Sequence, residues 1–305
     1  MADAHYVAGV HIGAINGQAV ITDVTTQEMA RRSFDYNPDD PDHIIPKACQ
    51  TVTELSWELK LDAGRLIGIG IGVPCAVDAN RRVALESTIV KWRNIGFADQ
   101  VEAKLGRPAI VEHNVSAMAL AESRYGVGKA ASSLLYVYLR TGLGAGLIVD
   151  GTAFRPGGQG AVELGHIQVA ADGPPCACGN SGCLETFVCE SALMRMIGLA
   201  GVAPTDLLAR VEAKPEAWEL IVRHLTNALA TAVNLLAPDL IVFGGHLGEA
   251  PDTLFARLQA EVFPRIAGHL RGRLNFARAS FGTQAGAIGG AAAALDQFFY
   301  SGALH

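Results

Sequence analysis

Residues 133–151 read SLLYVYLRTGLGAGLIVDG: an apolar run, a glycine-rich turn, a second apolar run. The same layout stands at 6–24, YVAGVHIGAINGQAVITDV, about 130 residues earlier. β-Branched and aromatic residues fill the runs and glycine interrupts them, so each stretch reads as two strands joined by a turn. A strand–glycine–strand opening that occurs twice predicts two similar α/β lobes, and clefts between lobes are favoured places for ligands.

Working outward, residues 42–60 have helical spacing, and LIGIGIGVPCAVD (66–78) is a buried strand that breaks at Pro74. A short helix is expected at 97–105, then a strand ending near Val111 that feeds an Ala-, Met- and Leu-rich helix. After the second opening, residues 152–185 are irregular and rich in Gly, Pro and Cys. Helical patterns follow at 189–200, 204–212 and 215–236, with a strand at 239–245 and a helical run at 250–270. The segment ASFGTQAGAIGGAAAALDQFF carries a short strand and an Ala-rich helix from about residue 284.

The chain has 305 residues, half of them hydrophobic and 18% charged, enough apolar material for real cores and too much for disorder. Its net charge of −6 argues against nucleic acid as a partner, since phosphate binding needs clustered Lys and Arg. It shows neither a run of about 18 uncharged apolar residues nor a secretory leader, so a cytoplasmic protein with no membrane partner is expected.

GHIQVAADGPPCACGNSGCLET (165–186) brings His166, Cys176, Cys178 and Cys183 into one segment. One imidazole and three thiolates are the set that Zn²⁺ takes in a closed structural site. Gly179 and Gly182 would let the chain turn between ligands. The alternative is a group of free thiols. Cys49 and Cys189 have no visible partner and read as buried small apolar residues.

RTGLGAG (140–146) sets Thr141, Gly142 and Gly144 where backbone N–H groups can cradle a phosphate. FGGHLG (243–248), with Gly244 and Gly245, could admit a base or ribose. The first turn offers Gly13 and Gly17, but Ile15 replaces a hydroxyl and His11 stands where a carboxylate would organise Mg²⁺. Arg140 either balances an anion or pairs with an acidic neighbour, His246 is expected at the surface, and Trp92 reads as packing.

Taken together, AVELGHIQVAADGPPCACGNSGCLET, IGIGIGVPCAVD, TGLGAGLIVDG and PDLIVFGG resemble the ROK family over nearly the whole chain, nearest in look to bacterial allose or N-acetylmannosamine kinases. The resemblance implies a two-lobed actin-like or hexokinase-like (ribonuclease H-like) α/β fold with an interdomain cleft and a structural zinc loop. It implies a small lobe at 1–115 plus about 286–305, and a large lobe at 116–285 with the zinc loop at 166–183. Kinases of this kind move the γ-phosphoryl of ATP to a sugar hydroxyl. Carried over by position, the catalytic Asp falls on Asn114 and a sugar-binding Asn on His113. A second such Asn falls on Thr88, and the first turn's Asp on His11. Glu163, His166 and Glu185, sugar contacts in the family, are kept. The helix-turn-helix extension of family repressors is not seen.

An amide cannot accept a proton, and base catalysis is worth roughly 10²–10⁴-fold. His113 is one position away, but neighbours on a strand point to opposite faces. The expectation is therefore a sugar-kinase-fold protein that binds a sugar, amino sugar or cyclitol, with weak or lost phosphotransfer. An active ATP- and Mg²⁺-dependent hexose kinase is the alternative, and other acid–base chemistry by His113 or Glu163 a third. A homodimer is expected, as relatives often form one and symmetric dimers are the commonest oligomers.

Overall fold

The computed structural model describes residues 5–14, 16–38, 40–87, 90, 92–155, 157 and 162–300, without the side chains of Pro41, Asp42 and Ala63. The first half contains β1 (Tyr6–Ile12), β2 (Asn16–Asp23), β3 (Glu28–Asp35), α1 (Pro41–Glu58), β4 (Leu66–Val73), β5 (Ala84–Glu86), β6 (Arg93–Ile95), α2 (Phe97–Leu105), β7 (Ala109–His113) and α3 (Asn114–Tyr125). The second contains β8 (Ser133–Leu139), β9 (Leu143–Val149), β10 (Thr152–Ala153), α4 (Glu185–Val188), α5 (Glu190–Ile197), α6 (Leu207–Glu212), α7 (Pro215–Leu236), β11 (Leu240–Gly245), α8 (Asp252–Val262), β12 (Asn275–Arg278) and α9 (Ala285–Leu295).

The repeated hairpin grows into a repeated sheet. One five-stranded sheet runs β3-β2-β1-β4-β7 and the other β10-β9-β8-β11-β12. In each, the first three strands in that order are antiparallel, and the next two add in parallel to the first strand of the hairpin. Both sheets thus share one topology, and a short β5–β6 hairpin stands apart.

Period-two alternation decides what each face meets. Val10, Ile12, Ile69, Ile71 and Val111 join Ile45, Val52 and Phe97 from α1 and α2 in one core. Leu135, Val137, Ile241 and Phe243 join Leu225, Leu229, Leu254 and Leu258 from α7 and α8 in another. The opposite faces of both sheets turn towards α3 and α9, which pack on each other and form the middle layer. α9 packs on β1 and β4 of the first sheet, and α3 on β8 and β9 of the second.

The sequence of α9, AGAIGGAAAAL, is buried at every position. Its small side chains match a bare strip on the sheet. A Cβ at Gly70 would lie 1.9 Å from the Gly290 carbonyl oxygen, and one at Gly9 2.0 Å from that of Ala287. So Gly70 faces the backbone of α9, Gly68 the ring of Phe298 and Gly72 the start of α3, while Ile69 and Ile71 fill the outer core. At the other end, β7 stops at His113 and α3 begins at Asn114, so the chain passes from one sheet to the helix of the next without a loop.

Candidate functional site

His166 and the three cysteines meet in space: one ligand atom from each lies within 4.8 Å of all the others. His166 Nδ1 is 3.5 Å from Cys176 Sγ, and Cys178 Sγ is 3.7 Å from Cys183 Sγ. Bonds of about 2.3 Å to a tetrahedral ion would space sulfurs by roughly 3.8 Å, so the donors already stand at metal-binding separations. The loop holds itself in that shape. Cys176 N–H donates to the Asn180 carbonyl at 2.8 Å, Gly179 N–H to that of Cys176 at 3.0 Å, and Gly182 N–H to that of Pro174 at 2.8 Å. Gly179 and Gly182 both have positive φ, at 92° and 67°, as a turn between ligands requires. The Asn180 backbone N–H holds the Cys178 thiol below its usual value, which favours the thiolate that a metal takes.

The far side of the same imidazole looks elsewhere. His166 Nε2 is 3.9 Å from Glu163 Oε2, and the Glu163 side chain is 69% exposed. Glu185, at the start of α4, accepts the Leu143 N–H at 2.8 Å. It therefore ties the cysteine loop to the glycine turn between β8 and β9. That turn holds Thr141 and Gly142, whereas Gly144 lies within β9 with its bare side against Val115 of α3. Gly244 and Gly245 end β11, where Gly245 pairs with Leu139 at the end of β8.

On the first sheet, His11 pairs in register with Gly72, and the bare side of Gly72 lies 3.5 Å under the Asn114 Cα. His11 and Asn114 are thus one strand apart. Asn114 Oδ1 accepts the Val115 N–H at 2.8 Å, and its NH₂ has no partner among the described residues. Ile110 packs in the middle core and Val111 in the outer one, so alternation sends His113 to the face opposite Glu112. The first turn is pinned by the Tyr36 hydroxyl, which donates to the Gly13 carbonyl. Thr88 and Ile15 lie outside the described residues.

Burial lowers both His11 and His113 to about 4, and the Nδ1 of each is buried without a hydrogen-bond partner in the described structure. Glu112 pulls His113 the other way, but less. Both rings stay neutral in the fold while an unfolded His takes a proton below about pH 6.5. Stability is therefore full above pH 6.5 and falls as pH drops towards 4, by up to about 1.4 kcal/mol per pH unit for each ring. Urea midpoints at pH 7.5, 6.0 and 5.0 should fall in that order, and His11→Gln/His113→Gln should flatten the slope. A native midpoint that stays constant from 6.5 to 5 would mean the rings charge within the fold.

Two groupings were not legible in the sequence. Glu112 is buried, 3.1 Å from Arg81 Nη2, 3.0 Å from Arg155 Nε, and in contact with Arg155 Nη2 as well. Its partners come from loops before β5 and after β10. The second involves His246, which is 1% exposed rather than at the surface. Its Nε2 is 2.7 Å from Glu190 Oε1 and its Nδ1 3.7 Å from Glu249 Oε2. Arg140 takes the acidic-neighbour alternative, at 3.1 Å from Glu249 and 3.9 Å from Glu190. Partners separated by up to 109 residues leave no local pattern to read. The remaining readings concern packing: Trp92, Cys49 and Cys189 are buried, with Trp92 against Phe97 at 5.6 Å. No helix among the described residues is long and apolar enough to cross a membrane.

With this geometry in place, the chain can be set beside known proteins. The sequence model of the ROK family matches residues 7–297. A glucokinase of Halalkalibacterium halodurans is 30% identical over 252 residues, 74% of this chain and 75% of that protein. The xylose repressor of Bacillus subtilis is 23% identical over 305 residues, 97% of this chain and 78% of the repressor. The solved ROK family glucokinase from Streptomyces griseus, in complex with glucose and AMPPNP, has a TM-score of 0.79 to this chain at 25% identity. That likeness covers 95% of this chain and 99% of the other.

Proposed function

The chain belongs to the ROK family, and from that premise we propose that it binds a sugar, amino sugar or cyclitol beside the His166 cluster, with weak or lost phosphotransfer. The observation that carries this reading is the chemistry around Gly72: His11 on one side and Asn114 above, with no carboxylate from either residue. Asn114 offers an amide, which is no base at neutral pH, and His11 is a buried neutral imidazole in place of the carboxylate that would organise Mg²⁺. The glucokinase likenesses support a carbohydrate as the ligand.

In this reading His166, Cys176, Cys178 and Cys183 hold a structural Zn²⁺, which the donor set and spacing favour. A bound ion would hold the His166 ring in place, leaving Nε2 and Glu163 to meet sugar hydroxyls. Glu185 sets the second turn through Leu143 and offers its other oxygen to the sugar. The protein works as a symmetric homodimer. The expectation that nucleic acid is not a partner meets a counterweight in the likeness to a xylose repressor.

The second reading is an active ATP- and Mg²⁺-dependent hexose kinase, favoured by the retained Thr141, Gly142, Gly144, Gly244 and Gly245 turns. ADP release from Mg-ATP with a panel of hexoses, amino sugars and cyclitols separates the two. The native chain is expected to bind one of these compounds saturably yet turn over at well under 1 s⁻¹, about the low end for kinases. Sugar-dependent turnover above about 1 s⁻¹ would establish the kinase reading. A gain on Asn114→Asp would localise the loss to the base.

A further inference from the structure

In the second sheet, the chain leaves β8 towards β9 on one side and leaves β11 towards β12 on the other. Between two parallel strands whose connections diverge, the carboxyl ends open a crevice where α/β proteins bind ligands. Here those ends are Leu139 and Gly245, followed by the two glycine turns. The crevice holds the chain's own side chains instead. Arg140 reaches Glu249 at 3.1 Å and Glu190 at 3.9 Å. His246, with no side-chain exposure, hydrogen-bonds Glu190 at 2.7 Å and lies 3.7 Å from Glu249. The four residues close a ring. Backbone bonds draw the turns together beneath it: His246 N–H to the Leu139 carbonyl at 2.9 Å, and Glu190 N–H to that of Arg140 at 3.0 Å. A Cβ on Gly245 would already be 2.2 Å from the Leu139 oxygen.

We infer that the ring of Arg140, Glu190, His246 and Glu249 stands in the place of a nucleotide between the second lobe's glycine turns and keeps nucleoside triphosphates out. The inference rests on reading the cleft as a sugar site without efficient phosphotransfer. A triphosphate entering the crevice has to draw Arg140 away from Glu249. It then faces two carboxylates, and like charges brought together are a strong means of rejecting a ligand. The sugar contacts proposed around His166 lie outside the ring, so sugar binding needs no nucleotide to complete it.

The test is isothermal titration of the full chain with Mg-ATP and Mg-ADP, native and Glu190→Gln/Glu249→Gln. Glutamine keeps the size of each glutamate and one acceptor oxygen while removing its charge. The native chain is expected to show no saturable binding below about 1 mM, and the double variant to bind at least about tenfold tighter. Glu249→Gln alone, at the more exposed carboxylate, should gain part of that and serves if the double variant fails to fold. Native binding below about 0.1 mM overturns the inference, and so does a folded variant that binds no tighter than native. Titration with sugars runs beside it. Loss of all sugar binding by the native chain counts against the proposed function, while the nucleotide arms still decide the ring.

Discussion

Gly70→Ala is expected to destabilise the chain by about 3 kcal/mol, for one methyl group, at the upper end of what overpacking costs. The new carbon would stand 1.9 Å from the Gly290 oxygen, 2.8 Å from the Gly290 carbonyl carbon and 3.0 Å from the Ala294 nitrogen. All three are backbone atoms, so no side chain can swing aside. The helix must retreat by more than about 1 Å and lose contact with β1 and β4 along its length. The thermal midpoint should drop by roughly 6–12 °C. Gly64→Ala is the control. Nothing lies within 4 Å of its Cβ position, so it should be neutral or stabilising by up to about 1 kcal/mol. Equal effects at the two sites would mean that α9 is not seated on the glycine strip.

Metal removal should have the other large effect. Cys183 is fully buried and its thiol sits 3.7 Å from that of Cys178. Cys183→Ser is expected to lower bound zinc from about one equivalent to below about a tenth, as one of four donors is lost at a closed site. The large hydrophobic cores hold both sheets without the loop, so the fold should survive. The loop at 166–183 should instead become open to protease, with sugar affinity falling at least about tenfold because the His166 ring is no longer held. Chelation of the native chain should reproduce both changes, and zinc should reverse them. Full sugar affinity in metal-free protein would separate the cysteine loop from the binding site.

The hairpin at 133–151 carried most of the architecture because its period-two pattern is set by burial on both faces of a sheet, and the same demand shaped 6–24. Helix limits at 97–105 and 215–236 are visible where Gly96 and Pro215 mark the starts. β3 escaped notice for the opposite reason: Phe34 is its one buried residue, and an edge strand with charges facing water has little hydrophobic alternation. β12 lies at Asn275–Arg278, ahead of the segment where a short strand was expected, since its four residues are only partly covered. At the site, the local constellation of His166 and three cysteines could be read because its ligands share eighteen residues of chain. The Arg140 ring and the Glu112 cluster draw on distant loops, and only the closed fold brings those charges within reach of one another.

The junction of β7 and α3 has a mechanical side. Asn114 is at once the residue over Gly72 and the first residue of a helix about 18 Å long. That helix packs chiefly on the second sheet. A rigid rod gripped at one end acts as a crank: a displacement of about 1 Å at Asn114 becomes a tilt of roughly 3° along its length, with no slack loop to absorb it. Whatever seats itself against Asn114 is therefore felt directly as a change of angle between the two halves of the molecule.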